Sequence, residues 1–294
     1  MLFSIRDLAA DERPLFERIE DIRYQLRHLV RDARRWAGVL TGFGYAGSRS
    51  GTGGVAGING AGESALAALA ALAAVDGDEA AGQTLRAVRG YGQAIDFILQ
   101  SCRDRKFRFT LDTLLGVHFR ITQHNPRANP GCLRPDWVGV SNSKTGKIVY
   151  EGVDRDHLEC VLVEIIDSLN GASQLPPIIR AAMAHLNLVM AHPFSDGNGR
   201  TARCIQTALL VKEGIVAPEF ASIEEYIGRN QSAYYAVLSE VGGRAWAPER
   251  DAHPWVRFCL TAHYRQAKTL LRTSGIVSVM DLIHDRWLAE SIVS

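Results

Sequence analysis

The sequence predicts an all-α fold with a single β-hairpin, and two observations support this prediction. Apolar residues recur at helical spacing in segments that together cover most of the chain. Strand and turn signals come together in only one place, between Trp137 and Tyr150. The chain has 294 residues, of which 47% are hydrophobic and 22% charged, so we expect one large globular domain or a domain with a small appendage.

The N-terminal part contains two predicted helices separated by a change in composition. A long, charged amphipathic helix is predicted over residues 10–39. Residues 41–62 are rich in Gly, Ser, Ala and Thr, a composition typical of a flexible loop or linker. A short helix rich in Ala and Leu is predicted over 64–75, and it ends at the Asp-Gly-Asp turn of residues 76–78.

The rest of the chain is predicted to be mainly helical. The further helices cover residues 88–102, 112–123, 154–169, 177–191, 201–213, 223–241 and 253–271. Asp154 and Asp156 are suited to a helix N-terminus, because their carboxylates accept the free N–H groups there and complement the helix dipole. Ser222 has the position of an N-cap residue, with Glu225 at the matching capping-box position.

The one exception to the helical pattern is the predicted β-hairpin. Val138 and Val140 precede a polar Ser-Asn-Ser-Lys-Thr-Gly segment, and the apolar Ile148-Val-Tyr150 follows it. Gly146 supplies the backbone freedom that a hairpin turn needs.

Charge, cysteine usage and the N-terminus limit the classes of function. A net charge of +1 gives no electrostatic argument for a nucleic-acid or membrane partner. The five cysteines are odd in number and scattered, which favours reduced thiols. The first residues lack a basic region followed by an apolar core, and the Ala-rich run at 65–75 is too short to span a bilayer. We therefore expect a cytoplasmic protein.

Chemically active residues are concentrated between two predicted helices, in the segment His192-Pro-Phe-Ser-Asp-Gly-Asn-Gly-Arg-Thr-Ala-Arg203. A glycine-bearing loop that opens a helix can bind phosphate, because backbone N–H groups converge there and the helix dipole favours an anion. Gly197 and Gly199 are placed to form such a nest. Phe194 is expected to anchor the loop in the core.

The side chains of this segment favour phosphoryl or nucleotidyl transfer. Asn198 can donate to phosphate oxygens, and Arg200 and Arg203 can each bind two of them. Asp196 offers the hard oxygen ligand that Mg²⁺ prefers alongside substrate phosphates. His192 is the strong general-base candidate of the cluster.

This segment resembles the signature of the Fic (filamentation induced by cAMP) family, written HPFx[D/E]GN[G/K]RxxR, and it matches every fixed position. The resemblance implies a Fic-type helical bundle with the hairpin as a flap beside the active site, where it would pair in β-fashion with an extended target segment. The segment before the hairpin, Pro130-Gly-Cys-Leu-Arg-Pro135, fits the family's Pro-Gly-x-x-Arg lead-in in outline. The implied domains are an N-terminal helical region (1–87), a Fic catalytic core (88–273) and a C-terminal tail (274–294).

The resemblance also implies a protein adenylyltransferase that uses ATP and Mg²⁺. It assigns Arg203 to the γ-phosphate, Arg200 and Asn198 to the inner phosphates, and Asp196 to the metal. His192 would take the proton from a Ser, Thr or Tyr hydroxyl of a target protein, so that AMP is transferred and pyrophosphate leaves.

A second region of the resemblance bears on the nucleotide base. In similar proteins the residues at these positions border the ribose and adenine: Tyr226, Asn230, Tyr234 and Tyr235. An aromatic face can stack on adenine. The alternative for each tyrosine of the adjacent pair is packing in the core.

Many Fic proteins contain an inhibitory helix with the motif [S/T]xxxE[G/N], whose glutamate pairs with the second signature arginine. One alignment of this chain places Asn59 where that glutamate belongs, and another places Glu63 there. Neither fits the whole motif, so the sequence predicts weak or absent autoinhibition.

Several alternatives stay open at the level of sequence. The same site could remove AMP or transfer another nucleotide or phosphocholine, or the chain could be a non-catalytic, nucleotide-binding scaffold that keeps the fold. Self-association or an antitoxin-like partner is also open.

Overall fold

The computed structural model describes residues 1–26, 79–141, 145–215 and 218–273, and this part of the chain is mostly helical. The predicted linker at 41–62, the predicted helix at 64–75 and the tail at 274–294 lie outside the described residues, and so do Asn59 and Glu63. The inhibitory-helix hypothesis therefore stays a prediction.

The helices are, in chain order, α1 (Arg13–Leu26), α2 (Glu79–Cys102), α3 (Leu111–Thr122), α4 (Arg155–Asn170), α5 (Pro177–Ala191), α6 (Asn198–Lys212), α7 (Pro218–Ala221), α8 (Glu224–Arg229), α9 (Gln231–Gly242) and α10 (His253–Thr273). Strands β1 (Gly139–Ser141) and β2 (Ile148–Glu151) form the predicted antiparallel hairpin, in which Val140 pairs with Tyr150. Gly146, in the predicted turn, has a left-handed backbone (φ 67°).

Most predicted helices agree with the structure in type and position, and α5 agrees at both ends. Asp154 is the N-cap of α4, and its carboxylate accepts the backbone N–H of Asp156 at 3.5 Å. Helix α6 begins at Asn198, three residues before the predicted start, so the signature arginines belong to its first turns. The predicted domain boundary between residues 87 and 88 falls inside α2.

The prediction of one helix over 223–241 is wrong, because α8 and α9 are separated at Asn230. Its backbone (φ −129°, ψ 39°) leaves the helical region, and its Nδ2 donates to the Tyr226 carbonyl at 2.8 Å. A short polar side chain that bonds locally to the backbone competes with the helix in this way. The predicted capping register is also off by one residue, since Ile223 is the N-cap and the Ser222 hydroxyl accepts the Glu224 N–H at 3.2 Å.

Helix α5 lies at the centre of the core and is buried around most of its circumference. It packs against α4, α6 and α10, and Trp255 of α10 donates its indole N–H to the Ala182 carbonyl at 2.7 Å. Residues before α2 share this core: Phe3 is buried, and its backbone N–H donates to Asn187 Oδ1 at 2.9 Å. The C-terminal end of α5 is thereby held firmly where the signature segment begins.

None of the helices that the structure describes combines the length and the apolar character that a membrane span requires.

Candidate active site

The signature segment forms a loop that connects α5 to α6. The loop turns at two left-handed residues, His192 (φ 52°, ψ 56°) and Gly197 (φ 81°, ψ 2°). Asn198 closes it, since its Oδ1 accepts the Phe194 N–H at 2.9 Å and its Nδ2 donates to the Phe194 carbonyl at 2.8 Å. The Phe194 ring is buried, as expected, and stacks on the His118 ring with centroids 3.8 Å apart. Two side chains therefore fix the shape of the loop.

The contacts of Asn198 differ from the predicted ones. The sequence assigns its amide to phosphate oxygens, whereas in the structure both polar atoms of the amide bind the Phe194 backbone. The side chain is also buried. The Asn198 side chain therefore shapes the loop at the first residue of α6.

His192 is oriented by the helix that precedes it. Its Nδ1 lies 3.1 Å from the Val189 carbonyl oxygen. Because a carbonyl only accepts, Nδ1 carries the proton and Nε2 keeps its lone pair. Burial lowers the pKa of His192, which favours the neutral ring at pH 7. A β-carbon at Gly152, just after β2, would lie 2.9 Å from the His192 β-carbon, so this glycine lets the end of the hairpin approach His192 closely.

The first turn of α6 offers free backbone donors. Thr201 is the first residue whose N–H makes a helical bond, to the Gly197 carbonyl at 2.9 Å. The N–H groups of Asn198, Gly199 and Arg200 have no acceptor within the described part of the chain. Free donors at the positive end of a helix form an anion site.

Asp196 lies at the edge of this turn. Its Oδ1 accepts the Gly197 N–H at 2.6 Å and its Oδ2 accepts from Arg200 Nη2 at 3.2 Å, while its side chain stays 52% exposed. Among the described residues, no group of three or more His, Cys, Asp or Glu side chains could hold a metal ion. A cation here would need oxygens from the substrate, and one carboxylate plus phosphates is a ligand set that suits Mg²⁺.

The Nε edge of Arg203 faces the protein interior. Its Nε donates to Glu224 Oε1 at 2.6 Å, and both side chains are buried. The Tyr91 hydroxyl donates to the same carboxylate oxygen. Burial alone would lower the pKa of Arg203, but the Glu224 carboxylate raises it above its ordinary value. The predicted γ-phosphate ligand is thus part of a buried ion pair that the sequence did not indicate.

The two adjacent tyrosines differ in environment. Tyr234 is buried, and its hydroxyl donates to His185 Nε2 at 3.1 Å, while His185 Nδ1 donates to Gln206 Oε1 at 2.6 Å. Tyr235 is 54% exposed. Tyr234 therefore packs in the core, and its ring is not free to stack on adenine.

The other two predicted base-site residues lie on or beside α8. Tyr226 packs edge-on against Phe258, with ring centroids 5.6 Å apart. Asn230 uses its amide to bond the Tyr226 carbonyl. In the described structure neither side chain bonds to the signature loop, so their contact with a nucleotide stays a prediction.

Comparison with known proteins shows what the chain is similar to. Residues 108–210 match the model of the Fic/DOC family. This part of the chain is similar to a Fic domain. The chain is 30% identical over 174 residues to protein adenylyltransferase fic-1 of Caenorhabditis elegans (58% of this chain, 30% of the relative). It is 25% identical over 198 residues to protein adenylyltransferase Fic of Nematostella vectensis (64% and 40%). The chain therefore spans well under half the length of these curated relatives.

Solved structures show the same fold. Fic-1 (residues 134–508) from C. elegans superposes with a TM-score of 0.67 at 21% identity, covering 92% of this chain and 74% of that one. A Fic family protein from Desulfovibrio desulfuricans G20 gives a TM-score of 0.70 at 19% identity, covering 95% and 79%. The predicted Fic-type helical bundle is confirmed.

Arg134 connects the lead-in of the hairpin to the Fic signature. This buried arginine donates from Nε to the His192 carbonyl at 2.9 Å, from Nη1 to the Asp136 carbonyl at 2.5 Å, and from Nη2 to the Val153 carbonyl. Arg134 is not among the predicted site residues, although the Pro-Gly-x-x-Arg pattern is a signal in the sequence that could have indicated it.

His118 supports the Fic signature from α3. Its Nδ1 accepts the Gly131 N–H at 3.1 Å, so Nε2 carries the proton and donates to the Asp196 carbonyl at 3.0 Å. Burial lowers the pKa of His118 to about 4, which keeps the ring neutral. Nothing in the sequence around this histidine indicates that role, because the contact depends on tertiary packing.

Proposed function

We propose that this chain is a protein adenylyltransferase that transfers AMP from ATP to a Ser, Thr or Tyr hydroxyl of a target protein. The observation that carries the proposal is the arrangement of His192, which keeps a lone pair on Nε2 and begins the loop whose far end has free backbone donors. Relatives named protein adenylyltransferase support the same activity.

The residues of the loop would divide the reaction between them. His192 Nε2 accepts the proton of the attacking hydroxyl as its oxygen bonds to the α-phosphorus. The bond from that phosphorus to the bridging oxygen breaks, and pyrophosphate leaves with the electron pair. The N–H groups at residues 198–200 and the Arg200 guanidinium stabilise the charge on the phosphates.

Asp196 is the residue that would hold Mg²⁺, because its half-exposed carboxylate lies beside the anion site. The ion, when bound, would neutralise charge on the phosphates. The Arg200 guanidinium donates to the same carboxylate and would bind the phosphates together with the ion.

The hairpin would present the target. Trp137, Ile148 and Val149 are exposed apolar side chains on or beside its strands, and they suit contact with another polypeptide. The Gly152 N–H donates to the Val138 carbonyl at 3.2 Å, which continues the pairing of the hairpin. The Val153 N–H donates to the Ala191 carbonyl at 3.3 Å, which ties the end of the hairpin to the end of α5, where the loop begins.

The test is incubation with ATP labelled in the adenine or α-phosphate, Mg²⁺ and a cell lysate. We expect protein-bound AMP with the wild type and a loss of about 10²–10⁴-fold in rate for His192→Ala. His157→Ala, which removes an exposed histidine on α4, should leave the rate unchanged.

Other outcomes identify the alternatives. ATP binding without transfer would indicate a scaffold, and release of AMP from a modified protein would indicate the reverse reaction. A cytoplasmic location, self-association and an antitoxin-like partner stay predictions.

A further inference from the structure

We propose that Glu224 is a positioning residue for ATP: it holds Arg203 by one edge so that the opposite corner of the guanidinium faces the first turn of α6. This inference rests on the proposed function, because it concerns how the same site binds the triphosphate.

The first observation is the buried cluster that joins three helices. Arg203 of α6, Glu224 of α8 and Tyr91 of α2 meet at one carboxylate oxygen, Oε1, which accepts from both Arg203 Nε and the Tyr91 hydroxyl. All three side chains are buried. A buried guanidinium needs a charged partner, since an uncompensated charge in the core is strongly unfavourable. Glu224 is that partner.

The second observation is the direction in which the rest of the guanidinium points. A β-carbon built at Gly199 would lie 3.2 Å from Arg203 Nη1 and 3.7 Å from the Tyr234 hydroxyl. The Nη1 corner therefore lies against the first turn of α6, where the N–H groups of residues 198–200 are free. The planar guanidinium bonds in several directions at once, so the Nε edge can stay on Glu224 while the Nη corner meets a phosphate.

The third observation is that Glu224 is itself held. The Tyr91 hydroxyl donates to it, and its backbone N–H donates to the Ser222 hydroxyl at 3.2 Å. The Gln266 side chain donates to the Ser222 carbonyl at 2.5 Å, which connects this segment to α10. A fixed carboxylate fixes the arginine, and a pre-positioned arginine binds phosphate without first losing rotamer freedom.

The experiment compares ATP with AMP, because only ATP has the outer phosphates that the positioned arginine would contact. Binding of each nucleotide with Mg²⁺ is measured by isothermal titration calorimetry on the full chain. For Glu224→Gln we expect the Kd for ATP to rise about tenfold and that for AMP to change less than about twofold. The matched control is Glu213→Gln, which breaks the Arg180–Glu213 ion pair (2.5 Å) at the other end of α6 and should change neither value.

Tyr91→Phe is the second variant, and it carries the test if circular dichroism shows that Glu224→Gln does not fold. It removes one bond to the same carboxylate and leaves the charges in place, so we expect a loss of about threefold in ATP affinity and none in AMP affinity. Unchanged ATP affinity in a folded variant would overturn the inference. Tighter ATP binding would also overturn it, because Glu224 would then be withholding Arg203. Wild type that binds ATP but transfers no AMP would refute the proposed function alone, and wild type that binds no ATP would refute both.

Discussion

Replacing Gly197 with alanine should separate the cost of a left-handed backbone from the cost of crowding the site. Gly197 (φ 81°) and Gly214 (φ 88°) share this conformation. A β-carbon at Gly197 would lie 2.9 Å from Thr122 Cγ2, whereas no described atom lies within 4 Å of one at Gly214. Thr122 has little room to move, because it is buried and its hydroxyl donates to the His118 carbonyl at 2.7 Å.

The magnitudes follow from these two contributions. The left-handed backbone costs about 1–2 kcal/mol for any residue with a β-carbon. Crowding a well-packed site adds about 1–3 kcal/mol. We therefore expect Gly214→Ala to lower the free energy of unfolding by about 1–2 kcal/mol and Gly197→Ala by about 2–5 kcal/mol, as the sum of both.

Urea unfolding followed by circular dichroism measures the two losses side by side. Calorimetric titration with ATP should then show weaker binding for Gly197→Ala alone, since that residue precedes the free N–H groups of α6. Equal losses of stability in the two variants would refute the reasoning, because the contact with Thr122 would then cost nothing.

Two further predictions concern buried polar side chains. Burial is the main cause that lowers the pKa of His185 to about 3. As the pH falls below ~6.5, the unfolded chain therefore binds a proton at this histidine before the folded protein does. The free energy of unfolding should fall between pH ~6.5 and ~3, by at most about 5 kcal/mol. Urea unfolding at a series of pH values checks this, and His185→Gln should show a shallower slope; a slope equal to that of the wild type would contradict the assignment. A lysine at position 134 cannot reproduce the fixed geometry of the three carbonyl bonds, so for Arg134→Lys we expect a loss of about 2–3 kcal/mol in thermal unfolding and slower AMP transfer. Arg155→Lys changes a half-buried arginine that pairs with the exposed Glu159 and should change both values little.

The sequence indicated the helices, the hairpin and the loop because those features depend on local patterns. Helix α5 has an unbroken apolar pattern that ends at the signature, and both of its ends were predicted. The break at Asn230 was missed because the apolar spacing continues on both sides of it. One local hydrogen bond from the Asn230 amide decided the backbone there.

The buried cluster around Arg203 could not be predicted for a different reason. Tyr91 and Glu224 are 133 positions apart, and Arg203 and Glu224 are 21 apart. No local pattern connects residues so distant in sequence. The predicted capping box used the neighbouring Glu225 and gave Glu224 no role. Asn198 shows the opposite case, because its partner, Phe194, is only four positions away. The sequence prediction assigned the Asn198 amide to phosphate oxygens and missed its short-range bonds to the Phe194 backbone.

The signature loop joins two helix ends of opposite polarity. His192 caps the C-terminal end of α5, where the helix dipole gives a partial negative charge, and the free donors lie at the positive end of α6. A proton that arrives on the imidazole would be stabilised by the first helix at the moment when the phosphates are stabilised by the second. The loop between the two helix ends would therefore hold the protonated imidazole at the negative end of one helix and the phosphates at the positive end of the other. This arrangement of charge comes from the backbone of the two helices.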